Sequence, residues 1–185
     1  MDFLAVPPIP ARILLLALVL AAAVYDVRYR RIPNWLSIGG ALLAIALNTY
    51  LGAPDFGLWF ALKGLALGFG IYLVLYALRA MGAGDVKLMG AVGAVVGWHD
   101  WIGVFLLTAL IGGLAAIILA LVRKRLGETF WNLGFILSEL KSGRPAYLGK
   151  EELDVKSPKA LGLPHGAIIA VAAIVFLGLA AQASK

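Results

Sequence analysis

Six stretches of this chain are apolar enough to lie in the hydrocarbon core of a membrane. They cover about Ala11 to Tyr25, Trp35 to Leu51, Leu58 to Leu78, Val86 to Trp98, Trp101 to Val122 and Leu163 to Ala181. A helix needs about 20 mainly apolar residues to cross a bilayer. In lipid, the backbone polar groups of such a segment must bond within it, which favours helices. We therefore expect an all-α integral membrane protein with six transmembrane helices in a single domain, residues 1–185.

Composition excludes the other broad classes of protein. The chain is 62% hydrophobic and 14% charged, whereas soluble domains have about 45–50% apolar and about 25% charged residues. The absence of cysteine excludes a disulfide framework, a thiolate metal site and a cysteine nucleophile. The net charge of +6 comes from basic residues that lie between apolar runs. We therefore expect the lipid bilayer, and not nucleic acid, as the charged partner.

The fourth apolar stretch, 86–98, is the shortest. As a helix it would be roughly 20 Å long, less than the hydrocarbon thickness. Its small residues form the pairs Gly90/Ala94 and Gly93/Gly97, which permit close approach of helix backbones. This predicts a central helix packed by its neighbours, with a re-entrant segment as the alternative. Trp98 and the following Trp101 are predicted to be interfacial anchors.

The basic residues are divided unequally between the two sides that six crossings define. All but three of the 16 Lys and Arg residues fall on one side, the exceptions being Arg12, Lys63 and Lys185. Cytoplasmic loops carry the excess of Lys and Arg. We expect a bacterial-type cytoplasmic (inner) membrane, both termini outside, and the basic side in the cytoplasm. Five spans would place Arg79 and Arg123 on opposite sides.

The one long loop, 123–162, is cytoplasmic in this orientation. Its first half, Glu128 to Leu140, carries apolar and aromatic side chains at helical spacing. This pattern predicts an amphipathic helix at the membrane interface. The second half is polar and charged, and predicts an irregular loop.

Asp26 is a charged residue at the end of the first apolar stretch. Charges at such positions are costly and often functional. The structural alternative is an interfacial acid neutralised by the three arginines that follow it. However, a carboxylate at a helix C-terminus faces the negative end of the helix dipole, which is unfavourable. Pro33 and Asn34 are typical of a helix start, with Asn34 as the predicted N-cap of the second helix.

Asp85 lies between the third and fourth stretches, in Gly82-Ala83-Gly84-Asp85-Val86-Lys87. The charge distribution places it on the same side as Asp26. Its two preceding glycines permit unusual backbone angles and close helix approach. Asp85 is also predicted to be the N-cap of the fourth helix, a role compatible with catalysis. Lys87 is interpreted as an interfacial anchor or as a charge acting on Asp85.

One acid at each of two helix ends on the same side suggests an aspartyl pair. Two carboxyl groups in one desolvated site cannot both ionise easily and titrate as a unit. One can act as a base toward water while the other, protonated, polarises a peptide carbonyl. The sequence does not show that Asp26 and Asp85 meet.

The two clusters together resemble the type IV prepilin peptidase family, membrane aspartyl proteases of the GxGD type. That family carries an aspartate followed by a basic stretch and Ile-Pro-Asn, and then a downstream Gly-x-Gly-Asp-x-Lys. This chain has Asp26 with Arg30-Arg31-Ile32-Pro33-Asn34, followed by Gly82-Ala83-Gly84-Asp85-Val86-Lys87. The run Leu163-Pro164-His165-Gly166 is similar to the start of the family's last span. The resemblance covers nearly the whole chain.

The resemblance implies that Asp26 and Asp85 are the catalytic pair and that neither a metal nor an organic cofactor takes part. It implies these supporting motif residues: Pro33, Asn34, Gly82, Gly84 and Lys87. The substrates would be prepilin or pseudopilin precursors, cut after a short basic leader at the cytoplasmic face. Larger members carry a cysteine cluster and also methylate the new N-terminus. Without cysteine, this chain resembles the peptidase-only branch of tight-adherence (Flp) pili, and we expect no N-methyltransferase activity.

Two other functions fit parts of the sequence. Buried acids also serve as proton relays in small proton-coupled transporters or channel subunits, although those favour acids near the midplane and repeated halves. A non-catalytic assembly protein of a pilus or secretion system would survive loss of either aspartate. His165, where the family usually has tyrosine, is expected to pack or cap at a helix start.

Overall fold

The structure, a computed structural model, describes residues 7–51, 57–124, 126–142 and 163–183. Within these ranges the chain forms α1 (Ile9–Tyr29), α2 (Asn34–Leu51), α3 (Leu58–Ala77), α4 (Ala83–Val122), α5 (Leu126–Lys141) and α6 (His165–Ala183). Five of the six, all except α5, are long and apolar enough to cross a membrane. These ranges contain no strand. The prediction of an all-α integral membrane protein is confirmed.

The 40-residue helix α4 consists of two arms that run in opposite directions. Gly97 joins them with φ 78° and ψ 170°, a backbone conformation that favours glycine. The indole Nε1 of Trp101 donates a hydrogen bond to the Met89 carbonyl at 3.1 Å. In a continuous helix these residues would lie about 18 Å apart. The arms 83–96 and 98–122 therefore pack side by side and correspond to the predicted fourth and fifth stretches.

The first arm of α4 forms the centre of the bundle. Every residue from 88 to 97 is buried. The arm runs along α3, where the backbone of Gly93 lies against Gly64 and the Met89 carbonyl lies against Gly68. Gly97, at the far end of the arm, lies against Phe60. Small residues therefore allow the predicted close approach.

The turn at Gly97 also changes the role of a tryptophan. Trp101 is fully buried and stacks on Phe105 with ring centroids 5.2 Å apart. The prediction that Trp101 is an interfacial anchor is wrong, because the reversal folds its side chain back onto the first arm. Trp98, on the other side of the turn, remains half-exposed.

Four helices bring their ends together at one end of the bundle. α1 ends there with Asp26 in its last turn, and α6 begins there with Gly166 bonded to Asp26. α2 and α4 both begin there, joined by a hydrogen bond between Asn34 and Lys87. Because α1 runs toward this end and α6 runs away from it, the described chain starts and finishes at the opposite end.

The helix boundaries differ from the predicted ones by a few residues. α1 continues four residues beyond Tyr25, and α4 begins three residues before Val86. Asp26 and Asp85 therefore lie within the terminal turns of helices instead of just outside them. The predicted amphipathic helix, 128–140, falls within α5, which contacts α4. The predicted irregular half of the loop lies mostly in 143–162, outside the described residues.

Candidate active site

Asp26 lies on the face of α1 that packs into the bundle. The other buried residues of that face recur three or four positions apart, at Ala11, Leu15, Leu18, Val19 and Ala22. Only 9% of Asp26 is exposed. Its Oδ2 accepts a hydrogen bond from the backbone N–H of Gly166 at 2.8 Å. Because Gly166 is in the first turn of α6, the positive end of that helix dipole offsets the unfavourable C-terminus of α1.

Asp85 lies in the first turn of α4. Its Oδ2 accepts a hydrogen bond from the backbone N–H of Gly82 at 3.2 Å. The N-cap residue is Gly82, so the prediction that Asp85 is the N-cap is wrong. The helix starts earlier than the apolar pattern suggested, and Asp85 bonds back to the cap from the third helical position, as the acid of a capping box does.

The two glycines of this motif allow close packing instead of unusual backbone angles. Gly82 has φ −81° and ψ 151°, an extended conformation open to any residue. The backbone freedom that glycine permits is therefore not used at Gly82. A Cβ at Gly84 would lie 3.2 Å from the Cβ of Ile32. Gly84 thus lets the start of α4 approach the turn between α1 and α2.

Asp26 and Asp85 line one cavity of about 470 Å³. Its wall is formed by the end of α1, the turn into α2 and the start of α4, with Asp26, Arg30, Arg31, Ile32, Pro33, Asn34, Gly82, Ala83, Gly84 and Asp85. The structure therefore brings together both predicted aspartates and four of the supporting residues, Pro33, Asn34, Gly82 and Gly84.

The fifth supporting residue, Lys87, links the two motifs. Its Nζ donates a hydrogen bond to Oδ1 of Asn34 at 2.7 Å. The carbonyl of Pro33 accepts the first amide bonds of α2, from Leu36 at 3.2 Å and Ser37 at 3.4 Å. Pro33 therefore holds the N-cap position, and the prediction that Asn34 is the N-cap is wrong by one residue. The Asn34 side chain instead joins α2 to α4.

His165, the residue before Gly166, packs against Tyr72 of α3. Its Nε2 lies 3.4 Å from the hydroxyl oxygen of Tyr72, and the two rings have centroids 6.0 Å apart. Tyr72 is 1% exposed and also contacts Trp101 and Phe105 edge to face. His165 thus joins the start of α6 to α3, in the packing role expected for it.

Two neighbours of Asp26 received no role in the sequence analysis. Gly166 supplies the N–H that bonds the carboxylate, and Ile32 lies against both Gly84 and Gly166. The sequence does contain a pattern that marks Gly166. A glycine at a helix start, directly after Pro164-His165, indicates a close backbone approach. Which residue the Gly166 backbone approaches depends on tertiary packing and could not be predicted.

The chemistry available at the cavity is proton transfer and hydrogen bonding. Its charged groups are two carboxyl groups and two guanidinium groups. In the part of the chain that the structure describes, no group of three or more His, Cys, Asp or Glu side chains is arranged to hold a metal ion. A carboxyl pair can activate water as a general acid and base.

Comparison with known proteins gives one family and one relative. The profile of the type IV leader peptidase family matches residues 13–117, which include both aspartates. A prepilin leader peptidase/N-methyltransferase of Myxococcus xanthus (strain DK1622) is 30% identical over 126 residues, 64% of this chain and 37% of the relative. The chain thus spans little more than a third of that relative. No solved structure matches this chain.

Proposed function

Because the chain belongs to the type IV leader peptidase family, we propose that it is an aspartic endopeptidase. In this proposal it removes the short basic leader of prepilin-like precursors at the cytoplasmic membrane face. The observation that carries the proposal is the shared cavity, where α1 and α4 place Asp26 and Asp85 together. The name of the M. xanthus relative supports the choice of substrate.

The two carboxyl groups divide the work of hydrolysis. One is ionised and takes a proton from water, whose oxygen attacks the carbonyl carbon of the scissile peptide bond. The other is protonated and donates a hydrogen bond to the carbonyl oxygen. When the tetrahedral intermediate collapses, the C–N bond breaks and the leaving nitrogen accepts the proton that the first carboxyl group took from water, which restores the ionised form of that group. Mutual repulsion of two carboxylates favours the state in which the pair shares one proton.

The position of the cavity suits a cleavage site next to an apolar helix. It lies where membrane-spanning helices end or begin, and it is lined by the turn between α1 and α2. A leader that stays on the cytoplasmic side would meet aspartates on that side. The excess of Lys and Arg at this end of the bundle supports the cytoplasmic orientation.

We further propose that the chain belongs to the peptidase-only branch of tight-adherence pili and does not methylate its product. The support is the lack of cysteine, since the larger members that this chain resembles carry a cysteine cluster. Mass spectrometry of the mature pilin after cleavage checks this. We expect an unmodified N-terminus, and a product heavier by one methyl group would contradict the proposal.

The test of the catalytic pair is cleavage of a tight-adherence prepilin by the purified protein. Asp26→Asn and Asp85→Asn keep the side-chain size and remove the ionisable group. We expect each to lower the cleavage rate by about 10²–10⁴-fold. Asp100→Asn is the matched control, because Asp100 is also a buried acid but lies beside His99 at the turn of α4. Its cleavage rate should stay near the wild-type value.

Circular dichroism establishes that each variant is folded before its rate is compared. Cleavage that survives in either site variant would overturn the aspartyl mechanism. If the wild type cleaves nothing but carries protons into liposomes, and the same two variants stop that flux, the transporter alternative replaces the peptidase.

A further inference from the structure

A backbone amide of the last helix reaches the first predicted catalytic acid. The Gly166 N–H to Asp26 Oδ2 bond is buried and joins residues 140 positions apart in the chain. A hydrogen bond from an amide to a carboxylate is stronger than one between neutral groups. It also fixes one carboxyl oxygen in space. This contact ties the start of α6 to the last turn of α1.

Gly166 leaves no room for a side chain at this point. A Cβ there would lie 3.1 Å from Asp26 Cβ, 3.1 Å from Asp26 Oδ2 and 3.1 Å from Ile32 Cδ1. Carbon atoms in ordinary contact are about 3.5–4.0 Å apart. Ile32 has little space to move away, because it also lies against Gly84 at the start of α4. A side chain at position 166 would therefore displace the Asp26 carboxyl group.

We infer that Gly166 is a positioning residue for Asp26. Its N–H holds Oδ2, and its lack of a side chain lets α6 come close enough for that bond to form. Oδ1 is then left for the attacking water or for the carboxyl group of Asp85. A catalytic role for this geometry rests on the proposed function, whereas the coupling between Gly166 and Asp26 does not.

The first experiment compares Gly166→Ala with Gly178→Ala in prepilin cleavage. Both glycines are in α6, and a Cβ at Gly178 would meet no atom within 4 Å. A displaced acid impairs the chemical step more than substrate binding. We expect Gly166→Ala to lower kcat by about tenfold or more with KM within about twofold of wild type. Gly178→Ala should leave both constants unchanged. A wild-type kcat in folded Gly166→Ala would overturn the inference.

The second experiment does not require activity or a change at Gly166. Amide hydrogen exchange of Gly166 is compared between the wild type and Asp26→Ala. Loss of the acceptor should accelerate exchange of this amide by about fivefold or more. The Gly178 amide, in the interior of the same helix, serves as the reference. Exchange at Gly166 that does not change relative to Gly178 would show that the amide does not hold Asp26.

The two experiments separate failure of the inference from failure of the proposed function. If Asp26→Asn is inactive and Gly166→Ala has a normal kcat, the peptidase assignment holds and the positioning role is wrong. If the wild type cleaves no precursor, the peptidase assignment fails, and hydrogen exchange alone decides whether Gly166 holds the Asp26 carboxyl group.

Discussion

The Lys87–Asn34 hydrogen bond connects the two segments that carry the aspartates. Asn34 follows the turn after Asp26, and Lys87 lies two residues beyond Asp85. Their side chains meet at 2.7 Å in an exposed hydrogen bond. An exposed bond contributes little to stability. Its value is geometric, since it fixes the start of α2 against the start of α4.

Removing this bond should slow cleavage without unfolding the protein. Lys87→Met keeps most of the side-chain length and removes the donor, and Asn34→Leu removes the acceptor. We expect each to lower the cleavage rate about tenfold, and the double variant to be little slower than either single variant, because residues in contact are not additive. Rates of the three variants under identical conditions measure the coupling. Losses that multiply in the double variant would show that the two side chains act independently.

The candidate catalytic acids could be predicted from residue chemistry, whereas their hydrogen-bond partners depend on tertiary packing. An acid at the C-terminal end of α1 is unfavourable in isolation, which singled out Asp26. The compensating N–H of Gly166 lies 140 positions away, beyond any local pattern. The two misplaced N-caps have a related cause. Apolar periodicity locates a helix within a few residues, but a cap depends on a single hydrogen bond.

Helix α3 and the first arm of α4 pack backbone to backbone. Gly64 faces the Gly93 carbonyl, and Gly68 faces the Met89 carbonyl. Small residues at a helix interface allow this approach in a membrane, where van der Waals contact drives association. The sequence predicted the small face of the arm from its spacing. The matching glycines of α3 were not identified, because their spacing alone does not say which helix they meet.

A methyl group at this contact should destabilise the bundle. We expect Gly64→Ala to lower the free energy of unfolding by about 1–3 kcal/mol, since its Cβ would overlap the Gly93 carbonyl. Gly70→Ala in the same helix is the control, because its Cβ would meet no atom within 4 Å. Alanine favours helix over glycine, so this control should be neutral or slightly stabilising. Thermal unfolding of the two variants and the wild type is measured in the same detergent. Equal melting temperatures for Gly64→Ala and the wild type would exclude the close contact between Gly64 and Gly93.

For the molecule as a whole, the reversal at Gly97 is what the predicted topology of six crossings requires. With α4 folded back, both described ends of the chain lie opposite the aspartate cavity. An uninterrupted α4 would give an odd number of crossings and place the ends on different sides. The distribution of Lys and Arg predicted an even number of crossings, because only an even number places most of these residues at one end of the bundle.

Cysteine labelling tests this topology in cells. The chain has no cysteine, so single cysteines at Ile9, Ala80 and Ala183 report without background, and the unaltered chain is the control. All three positions are exposed. A membrane-impermeant maleimide should label Ile9→Cys and Ala183→Cys in intact spheroplasts, and Ala80→Cys only after permeabilisation. Labelling of Ala80→Cys in intact spheroplasts would show that the orientation is the opposite of the proposed one. Unequal labelling of the two ends would indicate an odd number of crossings.

The shortness of the first arm of α4 has a consequence for the lipid around the protein. The arm 83–96 is about 21 Å long at 1.5 Å per residue, and the hydrocarbon core is about 30 Å thick. With the Gly97 turn at one interface, Asp85 would lie roughly 12 Å below the other, because only about 18 Å of helix separates it from the turn. Hydrophobic mismatch of this kind is relieved by local thinning of the bilayer. Bilayer thickness thereby becomes a determinant of how readily water reaches the two carboxyl groups.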